Sequence, residues 1–263
     1  MSLAKELKVA KLAALTASVY LKNNFNKFDR SRGVKIKGPT QIQTDMDLGA
    51  EKIILNLLKK NFPSASFWSE EAGKIGKQDG DLWIVDPLDG TTNYALGLKS
   101  YCVSIALARN SKIVLGVVAI PDTGQLLWAE SGKGAWEGKH KLQVSKKSKL
   151  DEAFLTFCHG SRLPDLKIAV KLYQAFKLKG LEYRQIGSAA LELSLVACGR
   201  TEAINIPGAN LYDVAAGALL VQEAGGKVTD FTGKLWQAVP SDLLAANNLI
   251  HAKILAIIKK TLK

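Results

Sequence analysis

The sequence predicts a layered α/β protein, and two patterns predict it. Segments with apolar residues at helical spacing alternate with short apolar runs bounded by turn residues. The first half is mixed and rich in hairpin signals, whereas the second alternates helix and strand as α/β units do. With 263 residues, 47% of them hydrophobic, the chain can bury a full core as one large domain or two coupled halves.

In chain order, residues 3–22 place Leu3, Leu7, Ala10, Ala14 and Leu21 at helical spacing. A second helix is expected over 47–60, with Ile53, Ile54, Leu57 and Leu58 facing the core. Strands follow at 66–68, 82–85, 103–108, 113–120 and 126–129, and Pro121-Asp122-Thr123-Gly124 reads as a hairpin turn. A polar, lysine-rich stretch at 139–151 places the meeting of the two halves near residue 150. Beyond it come strand 154–157, helix 165–179, strand 183–186, helix 189–198, strand 202–206 and helix 213–224. A strand at 227–229 and a last helix from Asn247 complete the pattern. No repeat or low-complexity segment appears, so residues 1–263 are read as a single domain.

Composition narrows the setting. Cys102, Cys158 and Cys198 are scattered and odd in number, which predicts a reducing cytoplasm rather than a disulfide scaffold. Lys5, Glu6, Lys8 and Lys11 interrupt any secretory core at the N-terminus, and no stretch reaches the roughly twenty apolar residues of a membrane span. The net charge of +12 favours anionic partners, from phosphorylated metabolites to nucleic acid. The lysines are spread along the chain with no basic stripe interleaved with aromatics, which argues against a nucleic-acid platform.

Two familiar motifs are rejected. "SGKGA" at 131–135 has no Ser or Thr after Lys133, so it is not a phosphate loop of the Walker type. His140, His159 and His251 stand far apart without metal-ligand spacing and read as surface or satisfied core residues.

The acidic residues carry more. Although the chain has only 24 Asp and Glu, Glu70 and Glu71 follow Phe67-Trp68 directly, and Asp86 and Asp89 follow Ile84-Val85. Asp213 stands where a small, apolar helix begins. Taken singly, each is a turn or cap residue. Taken together, clustered oxygen ligands suit a hard cation such as magnesium better than zinc.

"WIVDPLDGTTNY" (83–94), "SEEAG" (69–73) and "LYDVAAG" (211–217), in this order and spacing, resemble the inositol monophosphatase family of magnesium-dependent, lithium-sensitive phosphatases. Supporting stretches are "TDMDLGAEKII" (44–54) and "RQIGSAALELSLVACGR" (184–200), so the likeness spans residues 40–230. The resemblance implies an αβαβα sandwich, a homodimer, and hydrolysis of a small phosphorylated metabolite with Mg2+. It implies that Glu70, Asp86 and the Leu88 carbonyl hold the metal that activates the attacking water. Asp86, Asp89 and Asp213 would hold a second metal at the leaving-group side. Asp47 and Thr91 resemble the pair that polarises the water. Leu88, Asp89, Gly90, Thr91, Gly187, Ser188, Ala189 and Asp213 would meet the substrate, with the Gly90 and Thr91 amides on the phosphate. Pro87 would fix the backbone that aims the oxygens. Glu71 has no ligand role and is expected behind the site or on the surface.

There are departures. The acid that inositol-specific relatives carry seven positions before the last metal aspartate is Ile206 here. Asn205 or Asn210 would be the nearest substitutes, and an acid restored at 206 would be expected to favour inositol. Tyr212 replaces a usual Trp, and Ser69 a common glycine. The leading expectation is hydrolysis of inositol 1-phosphate or a related polyol or sugar phosphate. The alternatives are a phosphatase for fructose 1,6-bisphosphate or an adenosine bisphosphate, and a catalytically idle basic protein binding RNA or a transcription complex.

Overall fold

The computed structural model describes residues 3–38, 41–77 and 80–263. Among them the helices are α1 (Ala4–Phe25), α2 (Arg30–Gly33), α3 (Asp45–Asn61), α4 (Thr91–Ala95), α5 (Leu163–Lys177), α6 (Ala189–Ala197), α7 (Leu211–Glu223) and α8 (His251–Thr261). The first strands are β1 (Val34–Gly38), β2 (Gln41–Thr44), β3 (Ser66–Ser69), β4 (Gly73–Ile75), β5 (Asp81–Asp89), β6 (Cys102–Arg109), β7 (Lys112–Ile120) and β8 (Gln125–Glu130). The rest are β9 (Ala135–Glu137), β10 (His140–Lys141), β11 (Phe154–Phe157), β12 (Glu182–Arg184), β13 (Ala203–Ala209), β14 (Lys227–Thr229) and β15 (Ser241–Ala246).

Strand periodicity explains the layering. Along β5, β6 and β7, Val85, Val103, Ile105, Val117 and Ala119 enter one core with α1 and α3. Their neighbours Ile84, Cys102, Ala106 and Val118 enter a second core with α6 and α7. Because both faces are buried, these strands read as continuous apolar runs rather than as alternation. The eight-stranded sheet runs β10-β9-β8-β7-β6-β5-β3-β4 and a five-stranded sheet runs β12-β11-β13-β15-β14. In the second sheet Ile204, Ile206, Leu243 and Ala245 face α6 and α7. Ala203, Leu244 and Ala246 face α5 and α8 on the other side. The order is helix, sheet, helix, sheet, helix: an αβαβα sandwich. Among the described residues no helix is long and apolar enough to cross a membrane.

The sequence-based elements differ from this fold in three instructive places. The strand expected over 82–85 continues to Asp89. β15 was not foreseen, because "DLLAA" is short and lacks β-branched residues that would separate strand from helix. It lies between β13 and β14, antiparallel to both, so the second sheet is mixed rather than purely parallel. The last helix begins at His251 instead of Asn247, whose Oδ1 accepts the Leu249 and Ile250 amides and turns the chain first.

Candidate active site

The site lies where strands of both sheets end. β3 and β5 are parallel, as are β11 and β13, so chain segments leaving them deliver Glu70, Asp89, His159 and Asn210 to one region. Ligand sites at the carboxyl ends of parallel strands follow from this geometry. The Glu70 amide donates to Val85 O at 3.1 Å, extending the ladder one step beyond β3.

In a regular strand, residues three apart point to opposite faces. Asp86 and Asp89 nevertheless line the same cavity. The register supplies the reason: Asp86 pairs with Ser104 and Asp89 with Cys102, three steps on β5 against two on β6. This is a β-bulge, and Pro87 occupies it because a proline has no amide to contribute to the ladder. The Leu88 amide donates to Asp86 Oδ1 at 3.0 Å, which fixes the bulge. Gly90 follows at φ +94° as the N-cap of α4, and a Cβ there would stand 2.8 Å from Ser100 O.

Asp89 is held by residues a hundred positions away. It accepts from Ser188 Oγ at 2.7 Å and from the Ala190 and Ala189 amides at 2.6 and 3.2 Å. It therefore caps the N-terminus of α6 while facing the cavity. Asp47, in the first turn of α3, forms a capping box with Thr44. Its Oδ1 accepts the Thr91 hydroxyl at 2.7 Å, and that hydroxyl also lies 3.0 Å from Leu88 O. Burial, opposed by the Thr44 and Thr91 hydrogen bonds, pushes Asp47 up to about 6.

The cavity has a volume of about 500 Å³. Of the residues singled out in the sequence, Glu70, Asp86, Leu88, Asp89, Gly90, Thr91, Gly187, Ala189 and Asp213 line it. Asp47 and Ser188 do not; each stands behind a lining residue, Asp47 behind Thr91 and Ser188 behind Asp89. Ser188, expected to meet substrate, is buried with its hydroxyl committed to the aspartate. Glu71 is buried rather than on the surface, paired with Lys37 and Gln43.

Sequence reasoning missed Gln41, Ser161 and Gln185, which also line the cavity, and set His159 aside as a lone histidine, whereas Asn210, named as a substitute for the absent acid, does line it. The one signal was position: His159 and Asn210 each follow a strand end closely, as Glu70 does. Ile206 does not line the cavity. It is buried on β13 opposite Leu243, inside the core shared with α6 and α7. Asn205 is likewise buried and accepts from Tyr183 Oη at 2.9 Å. Asn210 faces the cavity and donates to Asp213 Oδ2 at 3.1 Å.

The electrostatics are one-sided. Burial first, and then the charge of their neighbours, holds Glu70 and Asp86 well above the carboxylate range and Asp213 at about 8. Burial raises Asp89 as well, against the pull of its α6 donors. Among the described residues no Lys or Arg lines the cavity. No group of three or more His, Cys, Asp or Glu side chains among the described residues is placed so that it could by itself hold a metal ion. The fit to a metal therefore rests on donor chemistry: the buried Asp86 and Asp89, the half-buried Glu70 and Asp213, and the Leu88 carbonyl, all oxygen donors in a lining without Lys or Arg among the described residues. That set fits a hard divalent cation.

A profile of the inositol monophosphatase family matches residues 2–263. The chain belongs to that family. It is 33% identical over 229 residues to a fructose-1,6-bisphosphatase/inositol-1-monophosphatase of Thermotoga maritima, covering 87% of each chain. It is 35% identical to an inositol-1-monophosphatase of Mesorhizobium japonicum, covering 97% of each. The crystal structure of extragenic suppressor protein suhB from Bartonella henselae superposes with a TM-score of 0.88 at 34% identity, over 96% of this chain and 98% of that one. As an inositol monophosphatase family member, the protein is a phosphoric monoester hydrolase of a metal-dependent family.

Proposed function

We propose that this protein hydrolyses the phosphate monoester of a small neutral polyol or sugar, inositol 1-phosphate or a relative of it, with magnesium as cofactor. The observation that carries the reading is the cavity wall: Glu70, Asp86, Asp89 and Asp213 line it, with no Lys or Arg among the described lining residues. A phosphate dianion entering such a wall meets only like charge unless cations come with it. Glu70, Asp86 and the Leu88 carbonyl would hold one ion, and Asp86, Asp89 and Asp213 another. When bound, such ions supply the positive charge that activates water at neutral pH and steadies the leaving oxygen.

The chain's own groups do the rest. The Thr91 hydroxyl, donating to Asp47, keeps a lone pair toward the cavity that can accept from a water and orient it. Asp47, raised to about 6, is a base of the right strength to take the proton relayed through Thr91. Gly90 and Thr91 present backbone to the phosphate, with Gly187 and Ala189 across from them. Around the same cavity His159, Ser161, Gln185 and Asn210 offer neutral donors and acceptors that suit hydroxyl groups. With no basic side chain among these residues, a second phosphate would lack a direct partner, which favours polyol monophosphates over bisphosphates. Lithium inhibition, a homodimer and a cytoplasmic home belong to the same reading.

The test is phosphate release from a panel of polyol monophosphates, fructose 1,6-bisphosphate and adenosine bisphosphate at fixed magnesium, repeated with chelator and with lithium. Release from polyol monophosphates that chelator and lithium each abolish is expected. Undiminished turnover in chelator, or preference for a bisphosphate, would overturn the reading.

A further inference from the structure

Glu192 is a fully buried carboxylate in α6 with no role in the chemistry above. Its Oε1 accepts from the Gly187 amide at 2.9 Å, the Ile186 amide at 3.1 Å and Cys158 Sγ at 2.9 Å. All of these donors belong to residues that line the cavity. They come from two separate walls, the segment leaving β11 and the turn entering α6. Its other oxygen, Oε2, is buried, and the Thr156 hydroxyl beside the carboxylate acts against the rise that burial causes.

Burying a carboxylate without a cation is unfavourable, and an apolar side chain of similar size would be the cheaper occupant of a helix packed on all sides. Burial lifts Glu192 to about 7, and hydrogen bonds from the cavity walls act against that rise. What the carboxylate does is draw donors from both walls to a single oxygen. The turn it holds needs holding: Gly187 is at φ +87°, and the next residues, Ser188 to Ala190, carry the groups that clamp Asp89.

We infer that Glu192 is a positioning residue: it ties Cys158 on one wall to Ile186 and Gly187 on the other and so sets the shape of the substrate cavity without touching substrate. This rests on the proposed phosphatase reading for what the cavity binds. The contribution is expected in ground-state fit, because the groups assigned to water activation, Asp47 and Thr91, lie on α3 and α4 and bond to each other rather than to the turn that Glu192 holds.

The variants are Glu192→Met, which keeps length but loses the acceptor, and Glu192→Gln, which keeps one acceptor oxygen. With whichever monoester the wild type turns over, Glu192→Met should raise KM about tenfold with kcat within about threefold. Glu192→Gln should restore KM to within about twofold of wild type. Amide hydrogen exchange gives a second reading that needs no substrate: Ile186 and Gly187 should exchange faster in Glu192→Met while α7 amides stay protected. Loss of kcat in proportion to the unfolded fraction, with KM unchanged, would overturn the inference and leave Glu192 a stability residue. Unchanged exchange at 186 and 187 would overturn it as well. A wild type inactive on every monoester would count against the phosphatase reading alone, and the exchange result would then decide the role of Glu192.

Discussion

Single side chains in this site do two tasks at once, which makes conservative substitutions informative. Asp89 faces the cavity and also accepts the first amides of α6 and the Ser188 hydroxyl. Asp89→Asn keeps the shape, removes a charge and turns an N–H toward those donors. Turnover should fall at least about a hundredfold and the magnesium concentration for half-maximal rate should rise, as charge stabilisation of several kcal/mol is lost. A magnesium titration of phosphate release, with melting temperature beside it, checks this; near-normal turnover would remove Asp89 from the metal set. Thr91 is simpler. Its hydroxyl lies 2.7 Å from Asp47 Oδ1 and 3.0 Å from Leu88 O. Thr91→Val should lower kcat about a hundredfold with little change in KM, while Thr91→Ser, which keeps the hydroxyl, should stay within about tenfold. Equal kcat in the two variants would show that the hydroxyl does not serve the water.

At the scale of elements, β5 and β13 show how strand geometry selects what reaches the cavity. The bulge at Pro87 turns an odd spacing into a same-side pair, so Asp86 and Asp89 converge. β13 carries a similar irregularity, three steps from Ile206 to Ala209 against two from Leu243 to Ser241, but Ile206 itself still pairs with Leu243 and points into the core between the sheets. The expectation that an acid at 206 would favour inositol therefore loses its basis. Ile206→Glu should instead bury an uncompensated carboxylate at a cost on the order of 3 kcal/mol or more, lowering the melting temperature by about 10 °C. A folded, equally stable Ile206→Glu variant with gained preference for inositol 1-phosphate would show that the strand can present this side chain to the cavity after all. The cavity-facing candidate for a hydroxyl contact is Asn210, one residue beyond the strand.

At the scale of the whole molecule, the layers are tied together at buried polar points as well as by packing. His251 at the start of α8 is one of them, with its Nε2 3.0 Å from Thr229 Oγ1 on β14. Burial first, and then the charge of Lys227, holds its pKa down at about 4, against an ordinary value of 6.5. In the window between those values the unfolded chain binds the extra proton and the folded one does not. Stability is therefore complete above pH 6.5 and is lost as pH falls toward 4. The His251 share should be roughly 1–2 kcal/mol, after discounting for partial solvent screening. Melting temperature followed from pH 7 to 4.5 should fall less steeply in His251→Gln than in wild type; parallel curves would exclude His251 as a source of the acid sensitivity.

The sequence by itself determined the pattern of most helices and strands, the family, and the acidic residues that meet at the cavity. Those features are written locally: apolar spacing dictates which faces are buried, and "WIVDPLDGTTNY" places Asp86, Pro87, Asp89 and Thr91 within one strand end and one turn. Other features were decided only when the layers packed. Ser188 meets Asp89, Glu192 meets Cys158, and His159 joins a wall of the cavity through contacts between distant segments, which no spacing in one chain encodes. Ile206 shows the same limit from the other side. Its place in the sequence pointed to the substrate, but the facing of a strand residue depends on register, and the register on β13 turned it into the core.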